Sequence, residues 1–272
     1  MKRKRVTGDL VVLALLLAYA VPFFWQGLTS FKPDSELLQL PPLLPSRLTL
    51  AHYQAVLGQS LMPRALVNSL GIATLTTLLA LVLSLPGGYA LARLPIPAKG
   101  ALLLGMVACT AFPQIATVGP LYLLLRALAL RDTWGALILA HTSFALPLML
   151  WLLAGFVREI PGEIEEAAMM DGASRFQLLR WIVLPLLAPG LAAAALLAFL
   201  FSWNEFLFAY TFTASEASRT VPVALALFPG VYEVPWGDIA AASILASLPP
   251  VLLVVGLQRY LVRGVLAGAL RE

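Results

Sequence analysis

The residues of this sequence that could do chemistry are few, and the longest charged interval in the apolar chain covers residues 158–185. Pro161 suits the first position of a helix, where its missing N–H is not needed. Glu163, Glu165 and Glu166 would then lie near the positive N-terminal end of the helix dipole. The interval therefore predicts a short surface helix whose acidic side chains either bind a basic partner or remain solvated.

The residues that follow predict a turn and a second helix. Gly172 can adopt the left-handed conformation that ends a helix. Ser174 is followed three residues later by Gln177, which is the capping-box pattern that begins another helix. Residues 158–185 are therefore predicted to form a helix, a sharp turn and a helix.

A second polar group, Ser202-Trp203-Asn204-Glu205, interrupts an apolar run in the second half of the chain. It follows Pro189 by about fourteen residues, or roughly 20 Å of helix. An ionisable residue at such depth in a membrane is a candidate functional site, and an indole ring beside an amide suits a sugar. The alternatives are a polar contact between helices and an interfacial aromatic belt.

No motif of an enzyme or nucleotide-binding site occurs in the sequence. It contains no Gly-x-x-x-x-Gly-Lys-Ser/Thr, His-Glu-x-x-His or Gly-x-Ser-x-Gly pattern. Cys109 is the single cysteine, and His52 and His141 have no carboxylate or thiol at ligand spacing along the chain. We therefore expect neither a catalytic site nor a bound metal or cofactor.

Composition assigns the chain to the membrane proteins. Of its 272 residues, 60% are hydrophobic and 12% are charged, and the mean hydropathy is +0.89. An ordinary globular core cannot bury so much apolar surface. The pI of about 9.4 would suggest nucleic acid binding in a soluble protein, but the basic residues cluster at the ends of apolar segments and indicate membrane topology instead.

Six apolar runs are long enough to cross about 30 Å of hydrocarbon as helices. A cleavable signal peptide is the alternative for the first run, which ends in bulky residues rather than small ones. The sequence therefore predicts an all-α membrane protein, organised as one domain over residues 1–272. The predicted spans are residues 10–28, 65–91, 101–125, 134–156, 187–212 and 239–261.

Prolines within these spans predict bends. Broken membrane helices are tolerated where protein or a water-filled cavity satisfies the freed backbone groups, which suits a permeation path; ordinary kinks in a bundle are the alternative. The residues concerned are Pro86, Pro113, Pro120, Pro147, Pro249 and Pro250.

Positive charge predicts the orientation of the spans. Twelve of the 18 Lys and Arg residues fall on one side, and that side is expected to be cytoplasmic. Both termini and residues 158–185 lie on it. The twelve residues are Lys2, Arg3, Lys4, Arg5, Arg93, Lys99, Arg158, Arg175, Arg180, Arg259, Arg263 and Arg271.

The spacing within the charged interval resembles a known motif. Glu166-Ala167-Ala168, three residues, Gly172, nine residues and Ile182-Val183-Leu184-Pro185 are similar to the EAA loop of ABC importer permeases, with a match at every motif position. The resemblance implies that this loop is a cytoplasmic coupling helix-turn-helix held in a cleft of the ATP-binding subunit. The coupling residues would be Glu163, Glu166, Ala167, Ala168, Asp171, Gly172, Ile182, Leu184 and Pro185.

Three further segments look like those of carbohydrate-importer permeases. They are Trp203-Asn204-Glu205-Phe206, Asn68-Ser69 and the tail Val262–Ala269. With these segments, the whole chain most resembles the six-helix second membrane subunit of maltose and trehalose importers. This resemblance implies a type I ABC importer permease fold. It also implies that the tail touches the ATPase and that residues 213–238 reach toward the binding protein.

The resemblance implies a transport subunit that is not itself an enzyme. It would move a sugar, such as trehalose or maltose, into the cytoplasm of a bacterium or archaeon by alternating access. Its partners would be a different permease subunit, an ATPase dimer that binds ATP and Mg²⁺, an external sugar-binding protein and the lipid bilayer, but no nucleic acid. The alternatives are a permease for another solute such as glycerol phosphate, an ion-coupled secondary transporter and a membrane-embedded enzyme.

The orientation can be tested by thiol labelling. In a Cys109→Ala background, Ser215→Cys should react with an impermeant thiol reagent on intact cells, and Ser174→Cys should react only after the membrane is opened. Labelling of Ser174→Cys alone in intact cells would show the opposite topology.

Overall fold

The computed structural model describes residues 2–37, 44–59, 61–228 and 234–269, with the side chains of these residues except 2–8, 59 and 259–269. The described residues are helical and contain no strand, as the all-α prediction requires. The helices are α1 (Lys2–Thr29), α2 (Asp34–Leu37), α3 (Ala51–Gln59), α4 (Met62–Arg93), α5 (Lys99–Thr110), α6 (Gln114–Ala127), α7 (Trp134–Glu159), α8 (Gly162–Met170), α9 (Arg175–Leu178), α10 (Leu184–Leu186), α11 (Ala188–Asn204), α12 (Leu207–Phe212), α13 (Val221–Ala226) and α14 (Trp236–Ala269).

Four of these helices are long and apolar enough to cross a membrane alone: Asp9–Thr29, Met62–Arg93, Trp134–Glu159 and Trp236–Gln258. Two bent pairs meet the same test together, α5 with α6 at 91° and Arg175–Leu186 with α11 at 78°. Within the described ranges the spans therefore number four, or six if each bent pair is one span. The first pair covers the third predicted span, whereas only Ala188–Asn204 of the second pair lies within the fifth predicted span, residues 187–212.

The bend between α5 and α6 has a local cause in the sequence. Pro113 lacks an N–H and disfavours helical backbone at Phe112, so α5 ends before it and α6 begins after it. The predicted bend at Pro113 is confirmed. The fifth span differs from the prediction at its far end, because Glu205 adopts an extended conformation and α11 stops at Asn204, where we had expected one helix to residue 212.

By their internal contacts the residues form two compact units, Met1–Pro63 with Ala224–Leu248 and Arg64–Val223 with Pro249–Glu272. The single domain over residues 1–272 stays a prediction. In the first unit, His52 Nδ1 lies 2.7 Å from Asp238 Oδ1, and His52 Nε2 lies 2.9 Å from the Lys32 carbonyl oxygen. Gly237 has no side chain because a Cβ there would lie 2.2 Å from the His52 ring.

The second unit is built around small residues that let helices approach closely. Gly190 of α11 lies against Phe156 of α7, and a Cβ there would come within 2.6 Å of that ring. A Cβ on Gly88 of α4 would lie 3.0 Å from the Leu153 Cβ and 3.2 Å from the Ala154 nitrogen. Close packing through small residues is the usual means of helix association in membranes.

We expect Gly88→Val to destabilise the second unit by about 1–3 kcal/mol, because the added methyl groups meet the backbone of α7. The thermal unfolding midpoint of the detergent-purified complex measures this. Gly105→Val is the matched control, since no atom lies within 4 Å of a Cβ at that position. Equal midpoints for the two variants would contradict the packing described for α4 and α7.

Candidate functional site

The charged interval folds as a helix, a turn and a helix. Pro161 has φ −57° and ψ 130° and lies just before α8, which begins at Gly162, so it precedes the first helical position that we expected it to fill. Glu163 and Glu165 lie in the first turn of α8, where the helix dipole favours negative charge.

Gly172 ends α8 with φ +86°, which confirms the predicted left-handed conformation. The Ala173 N–H donates to the Ala168 carbonyl and the Gly172 N–H to the Met169 carbonyl, each at 3.0 Å. These two bonds form a Schellman motif, which satisfies the last carbonyls of the helix. Side chains other than glycine are strained at this backbone conformation, so the turn depends on Gly172.

The second helix begins with the predicted capping box. Gln177 N–H donates to Ser174 Oγ at 3.3 Å, and Ser174 N–H donates to Gln177 Oε1 at 2.8 Å. After α9, residues Leu179–Val183 form a π-helical turn that leads into α10. The predicted helix, turn and helix are therefore all present.

The loop has a buried face and an exposed face. Ala168, Leu178 and Val183 are buried in a core shared with Val157 and Ile160. The exposed face carries the carboxylates of Glu163, Glu166 and Asp171 together with Ala167 and large apolar side chains that face solvent. These are Met170 (89% exposed), Phe176 (71%) and Trp181 (68%).

The predicted coupling residues divide between these faces. Ile182 and Leu184 are half-buried, and Ala168 is buried. The exposed members of the set are Glu163, Glu166, Ala167, Asp171, Gly172 and Pro185. An exposed set of this kind, with apolar side chains beside it, is what a protein docking surface presents.

One acidic residue of the loop, Glu165, is buried and was not among the predicted site residues. Arg93 Nε donates to Glu165 Oε1 at 2.7 Å, and the Tyr89 hydroxyl donates to Glu165 Oε2 at 2.8 Å. Arg93 Nη2 also donates to the Ile160 carbonyl at 2.5 Å. A single carboxylate thus ties α8 to the end of α4.

At the other end of α4, Asn68 is fully buried. Its side-chain amide donates to the Glu216 and Arg219 carbonyls at 3.0 and 2.8 Å. Trp134 Nε1 donates to Asn68 Oδ1 at 3.1 Å, and the Val221 N–H donates to Ser69 Oγ at 2.8 Å. The Asn68-Ser69 pair therefore binds the segment that follows α12.

Asp132, between α6 and α7, holds the start of the same segment. Its carboxylate accepts from the Ala214 N–H at 2.8 Å, the Ser215 N–H at 3.1 Å and the Ser218 hydroxyl. Burial alone would raise the pKa of Asp132, but these hydrogen bonds outweigh it and hold the pKa well below its ordinary value. Pro229 and Gly230, farther along the predicted loop 213–238, lie outside the described residues.

The polar group of the fifth span is turned mostly inward. The Glu205 carboxylate accepts from the Phe208 and Ala209 N–H groups at 2.8 and 3.0 Å and so caps α12. Trp203 is buried and stacks on Phe199 with ring centroids 5.6 Å apart. Asn204 is exposed, and its amide donates to a carbonyl one turn earlier in α11.

The histidines have carboxylate neighbours that their positions along the chain did not reveal. His141 Nε2 lies 3.1 Å from Glu205 Oε2, and His141 Nδ1 lies 2.7 Å from Ser202 Oγ. His52 contacts Asp238. In the part of the chain that the structure describes, no three His, Cys, Asp or Glu side chains are grouped to hold a metal ion.

Comparison with known proteins gives the family. Residues 84–267 match the model of the binding-protein-dependent transport system inner membrane component. The chain belongs to this family of ABC importer permeases, and the expected type I fold and transport class are confirmed. The protein is a membrane subunit of a transporter and not an enzyme.

Two relatives resemble the chain over nearly its whole length. The trehalose transport system permease protein SugB of Mycobacterium tuberculosis is 42% identical, covering 100% of both chains. The trehalose/maltose transport system permease protein MalG of Thermococcus litoralis is 39% identical, covering 96% of each. A crystal structure of a bacterial ABC transporter that imports alginate matches with a TM-score of 0.82 and 21% identity over 94% of this chain and 95% of that one, and it supports the fold.

We expect Glu165→Ala to loosen α8, because it leaves the partly buried Arg93 without its counter-charge, at a cost of at least about 1–3 kcal/mol. Hydrogen exchange of residues 160–172 should be faster in the purified variant. Glu163→Ala, which removes an exposed carboxylate from the same helix turn, should leave that exchange unchanged. Identical exchange in both variants would show that the ion pair does not hold the loop.

Proposed function

We propose that this chain is a permease subunit of an ATP-driven ABC importer that moves a disaccharide of the trehalose or maltose type into the cytoplasm. The observation that carries the proposal is the loop 158–185, which contains the complete EAA spacing around a glycine-dependent turn and exposes Glu166, Ala167 and Gly172 of that motif. The sugar is inferred from the two relatives, whose names state trehalose and maltose transport.

The exposed face of the loop fits a cleft in an ATPase subunit. Exposed Ala167 allows close approach, while Met170, Phe176 and Trp181 supply apolar surface whose burial would stabilise the docked state. Glu166 would pair with a basic residue of the ATPase. ATP and Mg²⁺ would be bound by that partner, since this sequence has no phosphate-binding loop.

The ion pair between Arg93 and Glu165 would connect the docked loop mechanically to the membrane-spanning helix α4. When the ATPase dimer closes and moves α8, the bonds from Arg93 and Tyr89 would carry α4 with it. The permease would then alternate between inward-facing and outward-facing states together with a second, different permease subunit. This motion moves the sugar without changing it chemically.

On the outer side, an extracytoplasmic binding protein would deliver the sugar. Asn68 and Asp132 anchor the segment that begins the loop 213–238, which supports a fixed attachment for that protein. The remaining placements follow the charge asymmetry, with both termini and the coupling loop in the cytoplasm of a bacterium or archaeon. The tail contact with the ATPase is proposed from resemblance alone, because the side chains of residues 259–269 and all of residues 270–272 lie outside the described residues.

The test compares Gly172→Val and Ala167→Trp with the wild type in the purified complex. Valine at a φ of +86° costs roughly 1–3 kcal/mol, and tryptophan overfills the ATPase cleft. Both variants should keep their membrane fold but lose most of the ATP hydrolysis that sugar-loaded binding protein stimulates. Gly100→Val is the control, since a Cβ there meets nothing within 4 Å.

Uptake of trehalose and maltose into proteoliposomes completes the test. ATP-dependent uptake by the wild type, abolished in the Gly172→Val variant, is the expected result. Normal uptake by a Gly172→Val, Ala167→Trp double variant would make the loop an ordinary solvated turn. Uptake that follows an ion gradient without ATP would identify a secondary transporter instead.

A further inference from the structure

A cavity of about 260 Å³ opens among the bent third span, α7 and α11. Its walls are mainly apolar, with three phenylalanine rings and two polar side chains. Those five are Thr110, Phe112, Gln114, Phe144 and Phe201. At ~30 Å³ per water, it has room for about eight or nine water molecules, or for a single sugar ring.

The cavity lies at the middle of the membrane-spanning helices. Phe144 comes ten residues after the start of the 26-residue helix α7, which is about 15 Å along it. Phe201 comes thirteen residues after the start of α11, or about 20 Å. In a hydrocarbon layer about 30 Å thick, the first distance corresponds to the centre and the second to about 5 Å beyond it.

The backbone is broken beside the cavity. Helix α5 ends at Thr110 and α6 begins at Gln114, with a 91° bend between them, and the residues of the break are exposed in this chain. Irregular backbone at membrane depth does not face lipid, because its polar groups need protein or water. The N–H groups of Ala111 and Phe112 donate to carbonyls of α5, so it is the carbonyls of these two residues that need a partner subunit or water.

The cavity combines aromatic rings with hydrogen-bonding groups, which a sugar ring can use. Phenylalanine faces pack against the C–H face of a sugar ring, and an amide can both donate to and accept from its hydroxyl groups. Gln114 is half-buried, and none of the described residues hydrogen-bonds its side-chain amide. The Thr110 hydroxyl donates to the Val107 carbonyl at 2.7 Å, which leaves its oxygen free to accept.

Two of the lining rings, Phe201 and Phe144, pack against other rings of the core. The His141 and Phe201 rings are nearly perpendicular, with centroids 6.3 Å apart and an interplanar angle of 81°. Phe208, whose N–H is bonded to Glu205, lies 5.2 Å from Phe144. The buried contacts of His141 with Ser202 and Glu205 hold this arrangement.

We propose that this cavity is a subsite for one ring of the transported sugar, with Phe201 and Phe144 as stacking faces and Gln114 as the hydrogen-bonding group. The proposal rests on the proposed function and goes beyond it by assigning sugar contacts to this subunit. Exposed Asn204, three residues after Phe201 and so on a neighbouring part of the same helix face, would border the subsite.

The first test measures uptake of trehalose and maltose by the full complex in proteoliposomes. Gln114→Leu should raise the KM at least about fivefold, because a sugar hydroxyl loses its partner. Phe201→Leu should raise the KM while Phe201→Tyr, which retains a ring, stays near the wild type. Phe24→Leu, at an exposed position of α1, is the control. ATP hydrolysis without sugar should be unchanged in the Phe24→Leu control.

The second test detects occupancy directly. With Gln114→Cys in a Cys109→Ala background, trehalose or maltose should slow modification by N-ethylmaleimide several-fold in the purified complex. Slowing by added phospholipid but not by sugar would identify an acyl-chain site and overturn the proposal. Unchanged KM values in both Gln114→Leu and Phe201→Leu, with normal wild-type uptake, would overturn the subsite alone. A wild type that imports neither sugar would overturn the proposed function and the subsite with it.

Discussion

The structure depends on the requirement that every backbone polar group inside the bilayer find a partner within the protein. Long helices meet this requirement along most of the chain. At each interruption the freed backbone polar groups are satisfied in a different way. Where α11 stops, the Glu205 carboxylate takes up the N–H groups that begin α12. Where α5 and α6 part at Pro113, the exposed backbone borders a cavity. The first break is thus satisfied within the chain, and only the break at Pro113 is expected to be turned away from lipid.

The coupling loop divides binding and anchoring between its two faces. Its exposed face offers a docking surface, and its buried face belongs to the same core as α7. Glu165 lies between acids that face solvent, yet its side chain is 7% exposed and paired with Arg93. Removing either partner would leave a buried charge unpaired, which costs free energy, although the intact pair itself adds little net stability. Its main effect is therefore to fix the position of α8 against α4.

Features with both partners close in sequence could be predicted, and those joining distant residues could not. The turn at Gly172 and the cap formed by Ser174 and Gln177 are local, so the residue types alone indicate them. Proline likewise indicates the break at Pro113. The partners of Glu165 and of His141 lie more than sixty positions away in the sequence. No periodicity or charge pattern shows which of several distant side chains will meet, so buried Glu165 was grouped with its solvated neighbours.

Helix α4 runs without interruption from Met62 to Arg93, about 48 Å at 1.5 Å per residue. One end is bonded to the loop that would meet the ATPase, and the other, through Asn68, to the segment that would meet the binding protein. If this helix couples binding of the ATPase's nucleotide to binding of the external protein, each event changes the binding free energy of the other by the same amount. If arrival of loaded binding protein favours ATP binding, then ATP binding must favour that protein by the same factor. The subunit would then transmit the effect of binding in either direction across the membrane.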